Sequence, residues 1–174
     1  MRPVQRFAVA AVCGAFGITA LFALGLRGNT TVSYPLGLYW ATNKTPVKGD
    51  LVMFCPTNSP AFKVAKERHY ITAGFCEGNY GKLMKKILAA KGDVVSISPD
   101  GVTINGQLLE KSKPYSHDNL GRPMPAVRLS DYQLTDNEYL LMSDYSGVSF
   151  DGRYYGVLPA TQVVEVVQPL LTGD

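Results

Sequence analysis

At 174 residues, with 46% hydrophobic and 18% charged residues, the chain is sized for one compact domain plus a membrane segment and leaves little room for a second domain. Its formal net charge of +3 is scattered, with no basic block and no basic-aromatic interleaving, which argues against a nucleic-acid-binding function.

The apolar excess is concentrated near the N-terminus. After Met1 to Arg6, which carries Arg2 and Arg6, Phe7 to Leu26 runs about twenty residues without a charge, enough to cross a hydrocarbon core as a helix. Arg2, Arg6 and the amino terminus outweigh the lone Arg27 on the far side, so the positive-inside rule predicts a cytoplasmic segment 1–6, a transmembrane helix 7–26 and an exported domain 27–174. A cleavable secretory signal is the rival reading, since Ala23 and Gly25 are small enough for a cleavage site. The run exceeds the roughly 7–15 residues of a signal core, and cleavage would detach the stretch that follows from the membrane surface.

That stretch, Thr31 to Trp40 (TVSYPLGLYW), places Ser33 just ahead of a Tyr34-Pro35 turn, and the rest of the chain is read around it. A serine hydroxyl is too weakly acidic to attack an amide unaided, so a nucleophile here requires a general base from elsewhere. Lys48-Gly49-Asp50 then reads as a turn into the short apolar strand Leu51 to Phe54. Ser59-Pro60 is a helix start, with proline tolerated in the first turn, and Ala61 to Tyr70 forms a short surface helix. Gly74, Gly78 and Gly81 interrupt regular structure. Of the three cysteines, Cys13 falls in the apolar run, where a thiol behaves as a small hydrophobe. Cys55 and Cys76 remain as an exported pair, expected as a disulfide; two buried free thiols are the alternative.

Lys82 to Ala90 reads as a strand, Gly92-Asp93 as a turn, and Val94 to Ser98 as an alternating strand. Pro99-Asp100-Gly101 and Asn105-Gly106 turn the chain on either side of Val102 to Ile104, giving consecutive hairpins. Glu110 to Arg128 is a polar, proline-containing loop, Tyr139 to Met142 a strand, Ser143 to Arg153 a loop, and Gly156-Val157 and Val163 to Val167 closing strands. The exported part is therefore mainly β, without internal repeats.

A lysine base must lose its proton near neutral pH, which requires lowering its pKa by roughly three units from about 10.4, or ~4 kcal/mol of bias. Burial among apolar side chains supplies such a bias. In Lys82 to Ala90, Lys85 shares a strand face with Leu83, Ile87 and Ala89, and Lys86 shares the other with Met84, Leu88 and Ala90. Both faces are apolar, so periodicity does not choose between the two lysines. Their bland reading is a pair of side chains snorkelling from a half-buried strand.

Several separated motifs bear on that choice together: Ser33-Tyr34-Pro35 after a membrane segment, Lys85-Lys86 ahead of Gly92-Asp93, and Ser149-Phe150-Asp151-Gly152-Arg153 followed by Tyr155-Gly156. Their order and spacing resemble the type I signal peptidase family. Within it the similarity extends to the TraF branch, the conjugative-transfer proteases that mature pilin, across NTTVSYPLGLYW, VMFCP, FCEGNYGKLMKKILAAKGD and LLMSDYSGVSFDGRYYG. The resemblance implies a signal-peptidase-like β domain with an N-terminal transmembrane helix, held in the bacterial inner membrane with its catalytic domain in the periplasm. It implies Ser33 as nucleophile, Lys85 as general base and Lys86 as the second residue of the family's basic pair. Thr31 matches a hydroxyl that assists the Ser33 N–H in binding the oxyanion, and Ser149 matches the serine that orients the base. Asp151 and Arg153 match an acidic-basic pair beside the site, for which bracing the loop is one role and a more direct catalytic part for Asp151, in the TraF branch, the other. The chain departs from the usual pattern at Tyr34, where methionine is usual, at Lys91, where proline precedes Gly-Asp, and at Ser143-Asp144-Tyr145, which replaces Gly-Asp-Asn. These departures leave the catalytic side chains in place and bear on specificity.

A histidine-based triad is the chemical rival. His69 and His117 both sit in polar contexts, and Ser33 lacks the Gly-x-Ser-x-Gly elbow. The expected function is a membrane-anchored Ser/Lys peptidase that processes a pilin precursor or another membrane-inserted preprotein through an acyl-enzyme. Cyclisation of the product is one way to resolve that intermediate. The lipid bilayer and other conjugative transfer proteins are the further partners expected, and a lysine base calls for no cofactor. A general signal peptidase and a non-catalytic assembly protein on the same scaffold are the alternatives.

Overall fold

A computed structural model of the chain describes residues 16–173. These residues open with a helix at 16–24 (α1), whose Phe16, Ile18, Leu21, Phe22 and Leu24 are exposed. Among the described residues no helix is long and apolar enough to cross a membrane. Residues 7–15 of the expected span, like the segment 1–6 and Cys13, lie outside the described residues. Helix ends before Gly25, and Leu26 already belongs to the first strand, β1 (Leu26–Asn29).

The remainder is built on two antiparallel sheets. The larger has the order β1-β2-β12-β3-β5-β10-β11, with β2 at Gly37–Thr42, β3 at Leu51–Phe54, β5 at Leu83–Ala89, β10 at Glu138–Met142, β11 at Leu158–Pro159 and β12 at Val163–Thr172. The smaller has the order β8-β7-β6-β9, with β6 at Val94–Ser98, β7 at Gly101–Ile104, β8 at Gln107–Leu108 and β9 at Leu129–Gln133. The Asn105-Gly106 turn joins β7 to β8 with φ of 51° and 78°, left-handed values that these two residue types tolerate best.

Strand β5 is the pivot. It lies between β3 and β10, so neither edge is open to solvent. Ile87 packs with Val52, Phe54 and Leu141 in one cluster, Ala89 with Leu140 and Met142 in a second, and Met84 with Met53 and Val167 in a third. Strand β10 divides its side chains likewise, Leu141 into the first cluster and Leu140 and Met142 into the second. A polar group on β5 that points inward is therefore set among apolar neighbours.

The excursion between β3 and β5 carries α2 (Pro60–Glu67), a short strand β4 (Ala73–Cys76) and a 3-10 turn (Glu77–Asn79). Proline begins α2, and its buried residues, Phe62 and Ala65, are three apart on the face that packs on the sheet. The helix ends at Glu67 rather than running on to Tyr70, as His69 adopts a left-handed φ of 60°. The Cys55–Cys76 disulfide closes this excursion with a Cα–Cα separation of 5.5 Å. Gly74 lies within β4 rather than interrupting the chain there.

Strands β1, β2 and β9 form where no strand is expected from local pattern, and three expected elements end or begin elsewhere. The stretch 143–153 is a loop only as far as Asp151, beyond which Gly152–Tyr155 forms one helical turn (α3). A β-carbon at Gly152 would press on Leu140 Cδ1 at 2.7 Å and the Leu141 carbonyl oxygen at 3.1 Å, so glycine suits the close approach of α3 to β10. The closing strand expected at Gly156-Val157 forms at Leu158–Pro159, and the last strand extends five residues beyond Val167, to Thr172.

Candidate active site

Ser33 lies in the connection between β1 and β2, and β12 and β3 stand between β2 and β5, the strand that carries Lys85. The connection reaches across because Tyr34, with Tyr39 of β2, packs on the sheet with Met53 of β3, Met84 of β5 and Val167 of β12. Asn29, the last residue of β1, organises the turn. Its Nδ2 donates to the carbonyls of Thr31, Tyr34 and Pro35 at 3.0 Å each, and its Oδ1 accepts from the Thr31 N–H at 3.1 Å and the Thr31 hydroxyl at 2.9 Å. Asparagine closing its own backbone turn in this way is a common device, and Asn29 ahead of Thr30-Thr31 was the legible signal for it. Gly37 starts β2 with φ of 146°, where a β-carbon would lie 2.2 Å from the Leu171 carbonyl oxygen.

The turn delivers Ser33 to Lys85, with Lys85 Nζ 3.1 Å from Ser33 Oγ. The choice that periodicity leaves open between Lys85 and Lys86 is made here by burial. Lys85 is 2% exposed, pairs in register with Val52 of β3, and places Nζ 2.9 Å from the Met84 carbonyl oxygen. Lys86 points the other way, half-exposed, and donates to Asp144 Oδ2 at 2.7 Å. Burial pushes the Lys85 ammonium down to about 8 from 10.5; the Asp151 charge opposes that shift and Arg153 adds to it. A neutral amine beside a serine hydroxyl is within reach of proton transfer.

One expected residue takes up a different contact from the one its motif implies. The Ser149 hydroxyl donates to Ser33 Oγ at 3.3 Å, so its hydrogen bond goes to the serine rather than to the lysine. Asp151 forms the expected pair with Arg153. Its Oδ1 accepts from Arg153 Nε at 2.8 Å and the Arg153 N–H at 3.2 Å, and its Oδ2 from Arg153 Nη2 at 3.0 Å and the Ser143 N–H at 3.1 Å. Both side chains of this pair are fully buried. Removing one partner would strand a charge, so the pair braces the loop under the site and acts on Lys85 through its field. Arg153 extends the brace with Nη1 donating to the carbonyls of Lys111 and Gly147. Thr31 stands at the mouth, exposed, its hydroxyl turned to Asn29.

The departures at Tyr34 and Ser143 to Tyr145 meet one another. Ser143 Oγ donates to the Ser33 carbonyl at 2.6 Å, the Tyr34 hydroxyl donates to Asp144 Oδ1 at 2.8 Å, and the Tyr34 and Tyr145 rings stack with centroids 6.2 Å apart. Asp144 thus bridges the residue after Ser33 and the residue after Lys85, and motif matching alone does not predict this link. His69 and His117 are not among the groups bonded to Ser33. A cleft of about 540 Å3 opens beside Ser33 and Lys85, lined largely by apolar and aromatic side chains.

Comparison with known proteins finds the same family. Residues 2–171 match the family described as signal peptidase, peptidase S26. A plasmid transfer protein TraF of Escherichia coli is 46% identical over 177 residues, covering 98% of this chain and 98% of its own length. A conjugal transfer protein TraF of Agrobacterium fabrum is 33% identical over 177 residues, covering 99% of this chain and 98% of its own. A solved signal peptidase I from Enterococcus faecalis aligns over 73% of this chain and 100% of its own, with 19% identity and a TM-score of 0.42.

Proposed function

The chain belongs to the signal peptidase family, peptidase S26, and from that premise we propose that it is a membrane-anchored serine peptidase that matures a conjugative pilin precursor with Ser33 and Lys85. The observation that carries this reading is the 3.1 Å approach of a buried lysine to the serine of the β1–β2 turn. The relatives named TraF supply the setting, plasmid transfer.

In this reading Ser33 Oγ attacks the scissile carbonyl while neutral Lys85 Nζ takes its proton. Ser149, hydrogen-bonded to Ser33 Oγ, holds that oxygen in line. The oxyanion forms against the Ser33 N–H, and the Thr31 hydroxyl turns from Asn29 to join it, a donor aimed at charge present only in the transition state. Protonated Lys85 then returns its proton to the leaving amine, and an ester between Ser33 and the substrate carbonyl remains. Water resolves it to a carboxylic acid. A second amine resolves it to an amide, and if that amine is the pilin's own N-terminus the product is a ring. Asp151 and Arg153 serve as positioning residues, fixing the loop that presents Ser143 and Ser149.

The test is the intact mass of a pilin precursor co-expressed with wild type, Ser33→Ala or Lys85→Ala protein. Wild type is expected to shorten the precursor and both variants to leave it whole, and a product one water lighter than the linear fragment marks cyclisation. Processing by either variant at the wild-type level would overturn the dyad.

A further inference from the structure

Ser143 is the first residue past β10, whose last residue, Met142, stands opposite Lys86 on β5. It is buried, and its hydroxyl is fully committed. A serine hydroxyl offers two lone-pair directions and one proton. Ser143 Oγ accepts from the N–H groups of Ser146 at 2.9 Å and Tyr145 at 3.2 Å, both in its own loop. Its proton goes to the Ser33 carbonyl at 2.6 Å. The main chain of Ser143 is held as well, because its N–H donates to Asp151 Oδ2 in the buried pair with Arg153. The result is a fixed donor aimed at the peptide unit that follows Ser33.

The carbonyls that Asn29 holds in this turn are those of Thr31, Tyr34 and Pro35, so Ser143 supplies the hold at Ser33. One residue on, the Tyr34 hydroxyl is shared between Asp144 Oδ1 at 2.8 Å and the Met142 carbonyl at 3.3 Å. Burial, with the Asp144 carboxylate next in weight, pushes that hydroxyl well above the usual tyrosine value, so it stays protonated and donating. The end of β10 thus grips the turn twice, through the main chain at 33 and the side chain at 34. Because β10 is paired to β5, this grip refers the position of Ser33 to the strand that carries Lys85.

Both donors stand where the chain departs from the usual pattern of its family. Glycine is usual at the position of Ser143 and methionine at that of Tyr34, and neither side chain can donate a hydrogen bond. The contacts they support have little slack. Ser33 Oγ lies 3.1 Å from Lys85 Nζ and 3.3 Å from Ser149 Oγ, both long for hydrogen bonds of their kinds, so a small rotation of the turn would separate them.

We propose that Ser143 and Tyr34 are positioning residues for the dyad, locking the 33–34 peptide unit to the end of β10 and so keeping the Ser33 hydroxyl in line with Lys85. The inference rests on Ser33 and Lys85 as nucleophile and base. Ser143 and Tyr34 act through the backbone of the turn and touch no reacting atom.

The experiment uses the full chain in detergent micelles, with the pilin precursor as substrate and a serine-directed acylating probe. Ser143→Ala is expected to lower kcat on the order of 10- to 100-fold, the range for a misplaced nucleophile, and Tyr34→Phe about threefold to tenfold, with KM unchanged in both. Ser143→Thr keeps the hydroxyl and is expected to recover most of the rate. The probe should label both donor variants to the same final extent as wild type, only more slowly, with the pH inflection still near 8 because Lys85 stays buried. A merely structural role would lower the final extent and leave the rate of the labelled fraction alone. That result, or wild-type kcat in Ser143→Ala and Tyr34→Phe alike, would overturn the proposal. Should Ser143→Ala fail to fold, Tyr34→Phe, which keeps the ring in its packing, decides the question alone. Ser33→Ala separates the two readings: if it is inactive while both donor variants work at the wild-type rate, the dyad stands and the positioning role falls, whereas processing by Ser33→Ala removes both.

Discussion

At the scale of single residues, the account turns on the state of Lys85. Its folded pKa of about 8 against 10.5 for a free lysine means that the unfolded chain binds more protons between those values. Stability contributed by this group therefore rises with pH. The penalty for burying Lys85 is absent above about 10.5, grows as pH falls, and is complete below about 8. It amounts to about 3 kcal/mol from the size of the shift. Lys85→Met fills the same space without a charge, so it is expected to lose activity while gaining on the order of 2–3 kcal/mol of unfolding free energy at pH 7. Urea melts at pH 7 and pH 10 read this directly: the gain should shrink at the higher pH, and a variant less stable than wild type at pH 7 would contradict it. Sequence supplied the identity of Lys85 only through a motif, because both faces of its strand are apolar. The difference from Lys86 lies in long-range partners, Val52 on one neighbouring strand and Asp144 beyond the other, and no local window contains them.

At the scale of elements, what was legible were those whose signal is local. The strands at 51–54, 94–98 and 139–142 and the Asn105-Gly106 hairpin carry alternation or turn residues in their own sequence. Strands β1 and β2 do not. LRGN and GLYWAT become strands because they pair with each other and β2 with β12, more than a hundred residues away. The one-turn α3 is set by Asp151, whose Oδ1 accepts from the Arg153 N–H, and by glycine at 152 against β10. The excursion from 55 to 76 depends on its disulfide in addition to the contacts of Phe62. Cys55→Ser with Cys76→Ser is expected to cost ~3 kcal/mol in the chain-entropy description of a loop this long. Denaturant midpoints with and without reductant test this; wild type that loses no stability on full reduction would count against the staple.

At the scale of the whole molecule, exposed apolar side chains stand at both ends of β2. Helix α1 exposes Phe16, Ile18, Leu21, Phe22 and Leu24, and exposed Leu36, Leu170 and Leu171 come from strand ends or turns paired around β2. Together with the charge-free run from Phe7, this supports an anchor that keeps Ser33 near a bilayer, which is our proposal for the location of the protein. Deletion of residues 1–26 is expected to move the protein from the membrane pellet to the carbonate-soluble fraction. A deletion variant that stays in the pellet after carbonate washing would point to a different mode of attachment. The catalytic geometry itself is distributed over the whole chain: turn 30–36 supplies Ser33, β5 supplies Lys85, and loop 143–151 supplies Ser143 and Ser149. Only the fold brings these together, and for that reason the direction of Ser149 and the clamp from Tyr34 to Asp144 were not readable beforehand.

The most direct test of the central claim, that buried Lys85 activates Ser33, is the rate at which a serine-directed acylating probe labels the full chain as a function of pH. The account predicts a rate that falls about tenfold per pH unit below an inflection near 8. It also predicts no label on Ser33→Ala and a loss of the inflection in Lys85→Ala. Labelling of Ser33→Ala at the wild-type rate, or a wild-type profile that is flat from pH 6 to 9, would contradict it.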